Sequence, residues 1–201
     1  MKKSIIYLLF TFLIFISACK KVNSEEIKIN NNKNDINVTK IADQNKTELK
    51  DLIAELGGKM FKENVKILDA EIMNLDGKTS KLADYKNKVI MLNLWATWCQ
   101  PCRAEMPSMQ KMYNNYKNKD FTIIAVSQGE NLNTVKNFSN SNHYNFPIFI
   151  DKNNEIARSY STGSIPTTYL INKQGYLIAQ FIGGREWNSK EAIDLINELI
   201  K

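Results

Sequence analysis

Histidine is nearly absent from this 201-residue chain: His143 stands alone, and cysteine occurs three times, at Cys19, Cys99 and Cys102. Each scarcity removes a class of protein. A structural zinc site takes four ligands, commonly two cysteine pairs or one pair with two histidines, and neither set can be assembled. Exported domains scaffolded by disulfides usually spread four or more cysteines along the chain, which three cannot do. No apolar run reaches the ~20 residues of a comfortable membrane-spanning helix. A basic stripe interleaved with aromatics is also missing, so the formal net charge of +6, scattered among asparagines and acids, does not describe a nucleic-acid surface. What is present, 43% hydrophobic and 24% charged residues, suits a folded domain with tails.

The N-terminus carries an export signal. Met1-Lys2-Lys3 is a short cationic start, followed by the apolar run Ile5–Ile16 and then Ser17-Ala18-Cys19. An aliphatic residue, two small residues and a cysteine resemble the lipobox of bacterial lipoproteins. That resemblance makes 1–18 a lipoprotein signal peptide and Cys19 the lipidated first residue, anchoring the domain to the membrane. The alternative is an uncleaved signal anchor with an incidental cysteine. Either way the domain is expected outside the cytoplasm, at the cell envelope.

Residues 20–46 are polar and without sustained periodicity, so 19–60 reads as a tether. It contains one possible short helix, with Leu49, Leu52, Ile53 and Leu56 at helical spacing between Thr47 and Gly57-Gly58. The domain proper is placed at 61–201. Val65–Met73 alternates as a strand would. Val89–Trp95 and Phe121–Ser127 are nearly continuous apolar runs, which fit strands buried on both faces. Helices are predicted from Gln100 to about Lys117, over Leu132–Asn140, Asn153–Tyr160 and Ser189–Ile200. A short strand is expected at Phe146–Ile150, and Thr167–Ile171 with Tyr176–Ile182 form a hairpin. Strands alternating with helices imply an α/β fold, with a central sheet covered on both sides.

The chemistry is concentrated in Trp98-Cys99-Gln100-Pro101-Cys102. As half a metal site the pair lacks partners; as a staple it closes too short a loop to constrain much of the unfolded chain. As a redox couple it has a physical case. Cys99 follows a buried strand and opens a helix, where free backbone N–H groups and the helix dipole favour thiolate. Cys102 lies one turn on, within reach of the first sulfur. Pro101 fits the first turn, where its missing N–H is not needed. Cys99 would attack a partner disulfide and Cys102 would resolve the mixed disulfide, with no cofactor.

The segment Val89–Pro107 resembles the active-site strand and helix of the thioredoxin superfamily. It is more narrowly similar to the membrane-anchored TlpA/ResA group of thiol–disulfide oxidoreductases. Gly163-Ser164-Ile165-Pro166-Thr167 resembles that superfamily's cis-proline loop. The resemblance implies a thioredoxin fold: a mixed central sheet flanked by helices, with an N-terminal strand extension and a strand–helix insertion at Phe146–Tyr160. It implies that Trp98, Pro101, Ile165 and Pro166 meet substrate, the backbone of Ile165 pairing with a substrate strand. Asn93 occupies the position where cytosolic thioredoxins have a buried aspartate. Proton handling is thereby left to Glu105, one turn after Cys102, unless Glu105 is merely a solvated helix-face residue. Glu130 matches a second acidic position near the site. Trp95 is expected in the core and His143 on the surface.

The resemblance also implies partners. They are exported disulfide-containing proteins such as apocytochrome c, a membrane reductant that transports thiol equivalents, and the membrane itself through the lipid. Two alternatives belong to other classes: a peroxide reductase of the peroxiredoxin kind, for which Thr97 is near Cys99, and a metal-handling lipoprotein without catalysis.

Overall fold

The computed structural model describes residues 44–201; the signal segment, Cys19 and the start of the tether lie outside the described residues. Gln44–Lys201 forms one compact unit, so folded structure begins well before the boundary expected at 61. The possible short helix is real and belongs to the domain. Residues 44–55 (α1) are helical, and Leu49, Leu52 and Leu56 pack around the buried Ile53 against the main core. Thr47 lies inside this helix and not at its cap. Polarity suggested a tether, but the apolar stripe decides where the segment goes.

Among the described residues eight strands form one sheet: β1 (Lys59–Met60), β2 (Glu71–Asn74), β3 (Thr79–Lys81), β4 (Val89–Trp95), β5 (Phe121–Ser127), β6 (Ile148–Ile150), β7 (Thr167–Ile171) and β8 (Leu177–Ile182). Their order across the sheet is β1-β8-β7-β4-β5-β6-β2-β3. β4 pairs with β5 in parallel and with β7 antiparallel, so the sheet is mixed. The helices after α1 are α2 (Gln100–Tyr116), α3 (Leu132–Ser141), α4 (Glu155–Tyr160) and α5 (Lys190–Ile200). A 3-10 turn, Leu82–Tyr85, leads into β4.

β4 and β5 are buried at every residue, which is why they read as uninterrupted apolar runs. Their side chains alternate between two cores. Val89, Met91 and Trp95 pack with α1, α2 and α5 residues, whereas Ile90, Leu92 and Leu94 pack under the chain of residues 70–85 and α4. By the same alternation Asn93 faces α2. A fully buried large apolar side chain contributes about 1.5–3 kcal/mol, so Trp95, Phe121 and Trp187 are major supports.

One expected strand is mostly not a strand. Of Val65–Met73, only Glu71 onward joins the sheet through β2, and Lys66 makes an isolated bridge to Tyr176. Residues 61–67 instead run irregularly beside β8, tied by Phe61 N–H to Ile178 O and by Leu177 N–H to Val65 O. Val65 and Leu68 stay exposed. Among the described residues no helix is long and apolar enough to cross a membrane.

Candidate active site

β4 ends at Trp95 and delivers Ala96–Cys99 to the start of α2. Cys99 is the N-cap residue, extended at φ −82° and ψ 107°, and its sulfur accepts a hydrogen bond from the Cys102 N–H at 3.3 Å. That bond satisfies one of the free donors of a helix start, the group type that also favours thiolate there. Cys99 and Cys102 are joined in a disulfide. Cys102 is fully buried and Cys99 is 5% exposed, so the outer sulfur is the one open to attack. Pro101 sits in the first turn of α2.

The loop before β7 faces this pair. The Ile165–Pro166 bond is cis, and the carbonyl oxygen of Ile165 lies 3.7 Å from Cys99 Sγ. Trp98 is 71% exposed beside them, in contrast to Trp95, which is core. After β8, Gly183 N–H donates to Pro166 O, and Gly184 runs against the helix start. A Cβ on Gly184 would stand 2.9 Å from the Pro101 carbonyl oxygen. This close approach requires glycine and brings residues 185–187 over α2.

Glu105 is not a solvated face residue; it is 3% exposed. Its Oε1 accepts from Asn93 Nδ2 at 2.8 Å. Oε2 accepts from the Arg185 backbone N–H at 3.2 Å and from the Trp187 indole N–H at 3.1 Å. Burial pushes the carboxyl up to about 7, against the downward pull of the Asn93 and Trp187 donors, the Arg185 N–H and the Arg185 charge. A carboxyl poised there exchanges its proton near neutral pH. Burial also lowers the Arg185 guanidinium, which Glu105 partly restores. That guanidinium is gripped by the carbonyls of Leu56 at the end of α1, Ile182 and Gly183, and it lies over the Phe181 and Trp187 rings. Ser108, on the next turn of α2 past Pro107, accepts from the Trp187 N–H at 2.9 Å.

Asn93 is fully buried and also donates from Nδ2 to Thr168 Oγ1 at 2.9 Å. Glu130 occupies a different place from Glu105. Its carboxylate accepts from the Thr97 N–H at 2.8 Å, the Thr97 hydroxyl and the Ser127 hydroxyl at 2.6 Å, and so fastens the β4–α2 connection that carries Trp98. His143 is exposed.

The fold thus gathers Asn93, Cys99, Pro101, Cys102, Glu105, Ile165 and Pro166, with Trp98 at the rim and Glu130 behind the connection. Sequence reasoning missed Arg185, Trp187, Thr168 and Ser108. The signal that points to the first two is Gly183-Gly184, a glycine pair ending a strand just before a tryptophan.

Residues 64–180 match the AhpC/TSA family. The chain belongs to that family. Relatives and solved structures narrow its place within it. Thiol-disulfide oxidoreductase ResA of Bacillus thuringiensis (strain Al Hakam) is 44% identical over 112 residues, 56% of this chain and 65% of the relative. A Chlorobium tepidum protein assigned as thiol:disulfide interchange protein DsbE superposes with a TM-score of 0.64 at 27% identity, covering 70% of this chain and 99% of that one. The pneumococcal exposed lipoprotein thioredoxin of Streptococcus pneumoniae strain TIGR4 gives 0.56 at 31% identity, covering 66% and 100%. The chain therefore spans just under two thirds of the length of the curated relative and nearly all of the two solved domains. This AhpC/TSA member has a thioredoxin fold, as its motifs suggested.

Proposed function

We propose that the protein is an extracytoplasmic thiol–disulfide oxidoreductase that reduces disulfides of exported proteins. The observation that carries this reading is Cys99 as the N-cap of α2, bonded to a buried Cys102, with the buried Glu105 carboxyl one turn further on. In the reduced protein the Cys99 thiolate attacks one sulfur of a partner disulfide, and the other partner sulfur leaves as thiolate and takes a proton. Cys102 then gives its proton to Glu105 and attacks Cys99 Sγ. The Cys99–Cys102 bond forms and the partner leaves with two thiols. Two electrons pass to the partner, and a membrane dithiol carrier restores the pair. The exposed Trp98, together with Pro101, Ile165 and Pro166, forms the surface against which the partner's extended chain lies.

Names of the relatives support the reaction class. The likeness to an exposed lipoprotein supports export and anchoring through Cys19. The haem-binding cysteines of apocytochrome c are the proposed substrate, on the resemblance to ResA-like proteins. The peroxide-reductase alternative is not favoured, since the Thr97 hydroxyl is taken by Glu130 and Cys99 is paired at once with Cys102.

The test is covalent capture in the native host. Cys102→Ser should accumulate mixed disulfides through Cys99 with exported proteins, and Cys99→Ser should neither turn over nor capture. If the Cys102→Ser protein binds no exported cysteine protein, the assigned roles are wrong.

A further inference from the structure

Asn93 has a peculiarity that its two hydrogen bonds do not explain. Both are made by Nδ2, to Glu105 Oε1 and Thr168 Oγ1, while Oδ1 is buried without any donor. A buried amide oxygen without a partner is costly, and a side chain so placed is not held from behind. Oδ1 has no hydrogen bond to lose, so nothing at that end holds the carboxamide against reversal. The choice between the two orientations therefore falls to what Glu105 and Thr168 present.

Glu105 presents different things in its two protonation states. Oε2 already receives two N–H donors, from the Arg185 backbone and the Trp187 indole, neither of which can accept. A proton on Oε2 would point at donors, so it settles on Oε1, where Asn93 is the partner. There an O–H facing an N–H is repulsive, and an amide oxygen is what that O–H needs. Thr168 does not oppose the exchange, because a hydroxyl accepts from Nδ2 in one state and donates to Oδ1 in the other.

We propose that Asn93 and Thr168 are positioning residues that follow the Glu105 proton by reversing a hydrogen-bond chain. With Glu105 ionised the chain runs from Asn93 Nδ2 to both oxygens; with Glu105 protonated it runs from Glu105 and Thr168 into Asn93 Oδ1. Each form of the carboxyl is then served by one buried side chain, which eases a proton's repeated arrival and departure. Thr168 lies two residues past cis-Pro166, so the chain also joins the carboxyl to the strand that follows the substrate loop.

The other charged or titratable groups facing Glu105 are few. Among the described residues the charged group acting on it is the Arg185 guanidinium, from the loop after β8; Cys102, three residues earlier on α2, becomes titratable once the disulfide is opened, and the β4 and β7 partners are neutral. In use, the chain deepens the oxidoreductase reading and rests on it. The experiment does not, because it observes the oxidised full-length protein without turnover, where Cys102 cannot titrate.

Nuclear Overhauser contacts from the Asn93 Nδ2 protons to the Thr168 methyl are followed with pH, alongside the 13C shift of the Glu105 carboxyl. The contacts should be present at high pH and disappear with the same midpoint as Glu105 protonates. In Glu105→Gln, whose amide nitrogen must face Asn93, they should be absent at every pH. Contacts that persist through the carboxyl titration, or that survive in Glu105→Gln, overturn the proposal. A second measurement is the Glu105 midpoint in Asn93→Leu. A fixed donor would be lost from the charged form alone, and proton affinity would rise about ten- to a hundredfold. A reversing amide serves both forms, and its loss should change the affinity less than about tenfold.

Discussion

Replacing Glu105 with glutamine should change how stability depends on pH, and the size of the change follows from the carboxyl's surroundings. In the unfolded chain Glu105 titrates at its ordinary 4.5; in the fold, burial raises it to about 7. The folded state therefore keeps its proton over a range in which the unfolded state has lost it. Stability from this residue is full below 4.5, declines as pH rises from there toward 7, and stays low above. The shift corresponds to about 3 kcal/mol over the full range, of which about 2–3 kcal/mol falls between pH 5 and pH 8. Glutamine does not titrate and can still turn its oxygen toward the Arg185 and Trp187 N–H groups. Urea unfolding of the oxidised protein at pH 5, 6, 7 and 8 reads the effect directly. The variant should gain on the wild type mostly between pH 5 and pH 7 and level off by pH 8, with m unchanged. If the two proteins run parallel between pH 5 and pH 8, Glu105 is not a buried carboxyl near neutrality.

Two other substitutions test the site's supports. Gly184→Ala places a Cβ 2.9 Å from the Pro101 carbonyl oxygen; it should cost about 1–3 kcal/mol in urea unfolding, as overpacking does, and slow insulin reduction. Glu130→Ala strips the acceptor from the Thr97 N–H and the Ser127 hydroxyl. It should cost about 1–3 kcal/mol and broaden the Trp98 fluorescence response to disulfide opening, without moving the Glu105 midpoint.

Legibility in the sequence tracked the range of the interactions. β4 and β5 were readable to the residue because burial on both faces leaves an unbroken apolar run. The β7–β8 hairpin declared itself through Asn172-Lys173-Gln174-Gly175, where Gly175 has φ 83°. Val65–Met73 misled because alternation there belongs to a segment lying beside β8 and entering the sheet only at Glu71. The domain edge was misplaced because polar residues around α1 outweighed the stripe of Leu49, Leu52, Ile53 and Leu56.

The same rule holds at the candidate site. The Cys99–Cys102 spacing and the helix start are local, and so were readable. Glu105 was a candidate from its single-turn distance to Cys102, but spacing says nothing of burial. What buries it comes from residues 80 and 82 positions away, Arg185 and Trp187, while Asn93 finds Thr168 at 75. No periodicity announces such meetings; only the assembled sheet, with β7 paired to β4 and α2 packed on it, produces them.

That distance along the chain has a consequence for synthesis. During translation the two sulfurs emerge long before the residues that wall in the acid beside them. A nascent chain halted after β7, or a product clipped there, would display the dithiol with its proton partner open to water and titrating as an ordinary glutamate. The reactive pair is thus made early and armed late, and its arming waits on the thirty residues that follow β7 to come home.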